Sequence, residues 1–493
     1  MTRALRFAIV GAGMSGILAA IKLRESGYDD LVVFEKAERL GGTWRENTYP
    51  GIACDVPSHL YSYSFAPNPE WTHAFSPGAE ICAYFEQVAR EHDVDAFIRF
   101  GHEVVRCEWR EQAGAGGWDV TTRMVASGDG VEEHTERFDV VIAASGVLHH
   151  PKLPDIDGRD SFAGAAFHSA RWDHDVALDG ARVGVIGTGS TAVQITSALA
   201  ARAGHYSLFQ RTAQWIMPQE NHPYSAEDHE KWRADPQRLT ALHDQLSEAF
   251  GGFARAVTDA ESAECRWIEE QCRANLEESV RDPELREALR PTYRAACKRL
   301  VISPDFYAAI QQPHAELVTS GIERIEPRGV RTRDGVLHEL DVLVYATGFH
   351  ADAFMRPMGV VGVDGVTLEE AWAPRPIAYL SISIPGFPNY FMLNGPNGPV
   401  GNFSLIEVAE LQFGYILQLV DRLRDGAGAV VATAGATETL EAERVEAAQH
   451  TVWVTGCTSW YLDDRGVPAT WPWSFDRFRE VMRAPDFDAY AIS

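Results

Sequence analysis

Two short glycine runs and a few charged residues hold most of the chemistry that can be read in this chain. The first run is Gly11-Ala12-Gly13-Met14-Ser15-Gly16, and 24 residues after Gly11 stands Glu35. The second is Gly187-Thr188-Gly189-Ser190-Thr191-Ala192, and 24 residues after Gly187 stands Arg211, followed by Thr212. Glycines at this spacing let backbone approach a pyrophosphate, and a helix opening directly after them turns its free N–H groups toward it. A carboxylate at the end of the next strand accepts hydrogen bonds from the hydroxyls of an unphosphorylated ribose. An arginine there leaves those hydroxyls without an acceptor but suits a 2′-phosphate through a charge-assisted pair. The residue types therefore assign FAD to Gly11, Gly13, Gly16 and Glu35, and NADPH to Gly187, Gly189, Ser190, Thr191 and Arg211. Read alone, Arg211 also fits a solvated strand end.

Those residues need strand–helix–strand units to hold them, and the patterning supplies two. Phe7-Ala8-Ile9-Val10 leads into the first glycine run, helical spacing follows from Ile17 to Ser26, and Leu31-Val32-Val33-Phe34 leads to Glu35. Val183-Gly184-Val185-Ile186 leads into the second, with a helical stretch to Arg202 and then Tyr206-Ser207-Leu208-Phe209. Asp139 to Gly146 and Asp341 to Gly348 read as further buried strands that end in small residues, where chain can pass close to a cofactor. The expected fold is α/β, with two Rossmann-like dinucleotide-binding domains and a helical insertion. The FAD domain is expected to span 1–147 and 350–493, and the NADPH domain 148–217 and 298–349. The insertion, 218–297, carries helical stretches at Ser225–Asp235, Leu239–Phe250 and Ala260–Leu276. Beyond it, Gly395-Pro396-Asn397-Gly398-Pro399 reads as a turn and Ser404–Arg424 as a helix.

Composition narrows the partners. The 493 residues are 45% hydrophobic and 23% charged, an ordinary globular mix with a formal charge of −26. So acidic a surface repels phosphate backbones and anionic lipid, so neither nucleic acid nor membrane is an expected partner. No run of about 18 apolar residues spans a bilayer, and the first strand begins too early to leave room for a signal peptide, so a cytoplasmic protein is expected. The seven cysteines are odd in number, scattered and without a CxxC pair. That pattern argues against a disulfide framework, a metal site or a dithiol redox centre.

Two longer signatures lie between and around the glycine runs. Phe162-x-Gly164-x-x-x-His168-x-x-x-Trp172-Asp173 resembles the fingerprint of Baeyer–Villiger monooxygenases. Gly42-x-Trp44, with Tyr49-Pro50-Gly51 and Asp55, is similar to the same family's second motif. The resemblance extends over nearly the whole chain. It implies that NADPH reduces FAD, that reduced flavin meets dioxygen as a C4a-peroxyflavin, and that this attacks a ketone to give an ester or lactone. Sulfides are possible secondary substrates. It places Gly42, Trp44 and Asp55 at the flavin, and it gives Asp55 an arginine partner; the matching stretch Ala296-Cys297-Lys298-Arg299-Leu300 points to Arg299, with Lys298 and Arg294 as alternatives. It also sets Lys298 beside Arg211 and Thr212 at the 2′-phosphate. His168 is read as a structural linker histidine. Trp460, in the aromatic stretch 457–473, belongs either to packing or to a loop that closes over NADP. An N- or S-oxygenating flavin monooxygenase and an NADPH-dependent flavin reductase are the alternative functions. The oligomeric state is not legible.

Overall fold

The computed structural model describes residues 4–112, 115–125, 132–401 and 403–493. The first strand–helix–strand unit is β1 (Phe7–Val10), α1 (Met14–Glu25) and β2 (Leu31–Glu35), followed later by β3 (Ile98–Phe100) and β4 (Val140–Ala143). The second begins with β5 (Ala165–His168) and β6 (Arg182–Ile186) and continues through α2 (Ser190–Leu199) to β7 (His205–Phe209). Four helices come next: α3 (Ala226–Ala234), α4 (Gln237–Thr258), α5 (Ala263–Ser279) and α6 (Pro283–Ala288). Strands β8 (Ala315–Val318) and β9 (Val342–Tyr345) return to the second unit; β10 (Tyr390–Met392) and α7 (Leu405–Arg424) return to the first.

Two parallel five-stranded sheets result, in the orders β10-β4-β1-β2-β3 and β8-β7-β6-β9-β5. Strands of such sheets are apolar throughout because both faces are covered. In the first sheet Phe7, Ile9, Val33, Val140 and Ile142 pack with α1 and α7. The alternate residues Ala8, Val32, Phe34, Val141 and Ala143 pack with Trp109, Trp118 and Phe138 of a mixed, mostly antiparallel sheet. That sheet, built from His102–Gln112, Ala115–Met124 and Glu133–Phe138 with Gly359–Val361 at its edge, has no counterpart in the sequence reading.

The long fingerprint becomes β5 and the turn after it. Strand β5 pairs with β9 and closes one edge of the second sheet. Gly164 lies so near the Asp341 carbonyl oxygen that a Cβ would stand 2.3 Å from it. Trp172 is buried edge-on to Phe167, with ring centroids 5.0 Å apart. His168 Nδ1 accepts from the Ala170 amide at 3.1 Å, and Nε2 faces the Gly348 carbonyl oxygen at 3.0 Å, which fixes this histidine to backbone on both sides.

Two expectations need correction. Helix α4 runs on past Phe250, through Gly251-Gly252 to Thr258, because Ala254, Ala256 and Val257 beyond the glycines are buried and tertiary packing outweighs their weak propensity. The cysteines do include a disulfide, Cys297–Cys457, across 160 residues of sequence, with Cα atoms 6.2 Å apart. Local spacing cannot reveal such a bond: the fold brings the two together, inside a cluster with Trp453 and Tyr461. The other five cysteines are free and buried.

Candidate active site

Both glycine turns sit under the end of a neighbouring strand. Gly11 has φ of +101°, and a Cβ there would lie 2.8 Å from the Ala144 carbonyl oxygen; Gly187 has φ of +124°, and its Cβ would lie 2.2 Å from that of Ala346. The small residues at the exits of β4 and β9 are the ceilings of the two turns. A Cβ on Gly16 would come within 1.9 Å of the Gly11 carbonyl oxygen, so α1 can start where it does only with glycine there. Gly13 and Gly42 approach each other across the turn, with Gly42 at φ +53° and its would-be Cβ 3.0 Å from the Gly13 Cα. These close approaches are backbone to backbone and form a cradle at the turn. Gly13 and Gly189 are the N-caps of α1 and α2, and neither is capped by a side chain, so both helix ends present free N–H groups. The cradle fits a flavin dinucleotide's pyrophosphate at α1, and α2 fits that of a second nucleotide.

Glu35, 5% exposed, accepts from the Ala12 amide at 2.9 Å and the Ala37 amide at 3.0 Å and pairs with Arg45 at 3.0 Å. Its carboxylate is thereby held at the first turn. Trp44 donates from Nε1 to the Tyr61 hydroxyl at 3.2 Å, and burial pushes that phenol's pKa up.

At the second turn Arg211 is exposed and Thr212 half-buried. The Thr212 carbonyl accepts from the Thr188 hydroxyl at 2.8 Å. Lys298 lies near Arg211, and burial together with that like charge lowers its pKa. Neither cation has an ion-pair partner among the described residues. Two cations held together without a carboxylate, in a chain of charge −26, form a seat for an anion.

Asp55 and Arg299, 244 residues apart, form a two-point pair: Nε to Oδ2 at 3.0 Å and Nη2 to Oδ1 at 2.6 Å. Arg299 Nη1 also donates to the Gly401 carbonyl oxygen. Burial opposes the guanidinium's charge, but Asp55 and the Tyr461 phenol outweigh it and raise the pKa, so Arg299 stays a cation. Both side chains keep about a quarter of their surface open, at 27% each. Of the two alternatives, Arg294 is bound to Glu269 at 2.6 Å within the helical insertion, and the Lys298 ammonium lies over the Tyr293 ring, 5.1 Å from its centroid. Neither is paired with Asp55.

The loop carrying Asp55 spans the two sheets' domains. Tyr49 donates to Gln194 Oε1 at 2.8 Å, Gln194 Nε2 donates to the Ala53 carbonyl at 3.0 Å, and a Cβ on Gly51 would lie 2.6 Å from the Gln194 carbonyl oxygen. Gln194 belongs to α2, so the second signature of the first domain is docked on the nucleotide helix of the second. Trp460 is 48% exposed, its ring against Tyr461 at 4.1 Å. Sequence reasoning missed Tyr461, Gly401 and Gln194. For Tyr461 the signal was present, since it lies in the aromatic stretch already singled out; for Gln194 only its helix was readable.

The chain matches the FMO-like family, described as flavin-binding monooxygenase-like, over residues 4–228. A monooxygenase of Mycobacterium tuberculosis (strain ATCC 25618 / H37Rv) is 47% identical over 476 residues, covering 96% of this chain and 93% of that protein. A Baeyer–Villiger monooxygenase of Streptomyces coelicolor is 38% identical over 492 residues, covering 99% and 92%. The solved structure of cyclohexanone monooxygenase from Rhodococcus sp. Phi1 bound to NADP+ is similar over 100% of both chains, with a TM-score of 0.86 at 29% identity. Likeness of this extent, over a chain whose paired turns and Asp55–Arg299 contact are now in view, means that the protein belongs to the Baeyer–Villiger monooxygenases of the flavin-binding monooxygenase family.

Proposed function

We propose that the protein inserts one oxygen atom of O2 beside a ketone carbonyl, using FAD and NADPH. The balance is ketone, O2, NADPH and a proton giving ester or lactone, NADP+ and water. The observation that carries this reading is the two-point Asp55–Arg299 pair in the partly open space beside the loop that joins the two nucleotide units. FAD, once reduced by NADPH, supplies the activation of dioxygen. The chain's own residues do the rest. Arg299 offers a fixed positive charge where negative charge grows during attack on the carbonyl, and losing one such donor typically costs about 3 kcal/mol, roughly a hundredfold in rate. Asp55 holds the guanidinium plane and compensates its charge out of bulk water.

Gly11, Gly13, Gly16, Gly42, Trp44 and Glu35 are assigned to FAD, supported by the backbone-to-backbone cradle and the anchored carboxylate. Gly187, Gly189, Ser190, Thr191, Arg211, Thr212 and Lys298 are assigned to NADPH, supported by the uncapped start of α2 and the paired cations. Trp460 is retained as an exposed contact for the nicotinamide nucleotide. On the same footing, 1–147 and 350–493 form the FAD domain and 148–217 and 298–349 the NADPH domain, with 218–297 as the helical insertion between.

The test is incubation of purified holoprotein with NADPH, air and a panel of linear, cyclic and aryl ketones and sulfides, with products identified by mass. Esters or lactones one oxygen heavier than the ketone are expected, with sulfoxides as side products. NADPH consumption that yields only hydrogen peroxide or only sulfoxides across the panel would overturn the reading.

A further inference from the structure

Tyr461 sits where the mechanism has no assigned residue. Its hydroxyl is sealed from solvent and completes no well-formed hydrogen bond among the described residues. It packs onto Gly401 so tightly that a Cβ there would stand 2.0 Å from the phenol oxygen. The carbonyl of that same Gly401 receives Arg299 Nη1. Phenol and guanidinium therefore meet at one residue. A phenylalanine would fill this space without leaving a buried hydroxyl short of a partner.

The segment around Tyr461 is fastened to the Arg299 segment independently. The Cys297–Cys457 bond joins a residue two before Arg299 to one four before Tyr461. The Tyr461 ring stacks obliquely on Trp453 at 5.5 Å, and its carbonyl accepts from the Ala469 amide at 2.7 Å. Three of the five guanidinium N–H groups are committed to Asp55 and Gly401. Two remain, and their direction decides whether a developing oxyanion meets a donor.

We propose that Tyr461 is a positioning residue for Arg299: its phenol oxygen takes one of the two remaining N–H groups and thereby aims the other at the reacting carbonyl. This rests on the proposed ketone oxygenation. The phenol is kept protonated by burial, which raises its pKa, so it can act as acceptor and donor at once.

The experiment compares parent, Tyr461→Phe and Tyr461→His as FAD-loaded enzymes with one ketone. Each is read for FAD occupancy, KM for NADPH and for ketone, ester kcat, and hydrogen peroxide formed per NADPH. In Tyr461→Phe, FAD occupancy and both KM values stay near the parent's, ester kcat falls by about tenfold, and the lost turnover appears as peroxide. Tyr461→His, which returns a hydrogen-bonding ring atom, recovers part of the ester yield. An unchanged ester kcat in Tyr461→Phe overturns the proposal. So does a loss that tracks falling FAD occupancy, which would make Tyr461 a packing residue, or a histidine variant no better than phenylalanine. A parent that makes no ester from any ketone removes the proposed function instead, and that is seen before any variant is compared.

Discussion

The two glycine turns share a spacing and a ceiling but differ in how tightly they are enclosed. At the first, Gly16 touches Gly11, Gly13 touches Gly42, and Glu35 is buried in a three-way contact with two amides and Arg45. At the second, a Cβ on Gly189 would meet nothing within 4 Å, Arg211 is exposed and Lys298 is only half-buried. One turn is lined by close-packed backbone and an anchored carboxylate; the other is open on the side where charge waits. The difference matches a cofactor that stays through many turnovers and one that must enter and leave in each. Repetition of a motif thus does not mean repetition of a job, and the side chains around the glycines carry the distinction.

The sharpest way to break this contrast is Gly16→Ala. With 1.9 Å to the Gly11 carbonyl oxygen, the methyl group forces the turn or α1 to move, and the purified protein should be colourless or unstable. Retention of a full complement of flavin, read from its visible absorbance, would show that the enclosure is not needed. Arg299→Ala should leave flavin in place and reduce ester formation by about a hundredfold, measured by product mass against NADPH consumed. Arg211→Ala should leave FAD binding unchanged and lower the preference for NADPH over NADH by about tenfold or more, as loss of a charge-assisted phosphate contact implies. Equal use of both nucleotides by the parent would undo the assignment. Lys298 provides a pH version of the same test. Burial and Arg211 lower its pKa, so its charge is present at lower pH and lost as pH rises through a value below the ordinary lysine's roughly 10.4. The NADPH preference should weaken toward alkaline pH and persist higher in Lys298→Arg. The smallest effect on flavin content is expected for Gly189→Ala, whose Cβ meets no protein atom within 4 Å; it should instead raise the KM of both nucleotides alike, because the methyl group enters the space assigned to the pyrophosphate.

What was readable in advance follows from how local each constraint is. Gly11, Gly16 and Gly187 are needed by turns a few residues long, so their spacing and the charged ends Glu35 and Arg211 stand out directly. The pairing of Asp55 with Arg299 is different: 244 residues separate them, and only likeness to a family suggested the partner. The contact of Tyr461 with Gly401, the grip of Gln194 on the Asp55 loop and the Cys297–Cys457 bond were not readable. Each depends on how remote segments are stacked, which no window of sequence contains. Gly251-Gly252 misled for the same reason in reverse: locally they weaken a helix, but the buried residues beyond them continue it.

The docking of the Asp55 loop on α2 has a mechanical corollary. Tyr49, Gly51 and Ala53, two to six residues upstream of Asp55, are all engaged by Gln194, about one turn into α2. Swinging the halves of the molecule apart therefore acts directly on these contacts. Any hinge that widens the gap for a departing product must either tear these contacts or tow the carboxylate away from its guanidinium, so opening and disarming are one movement.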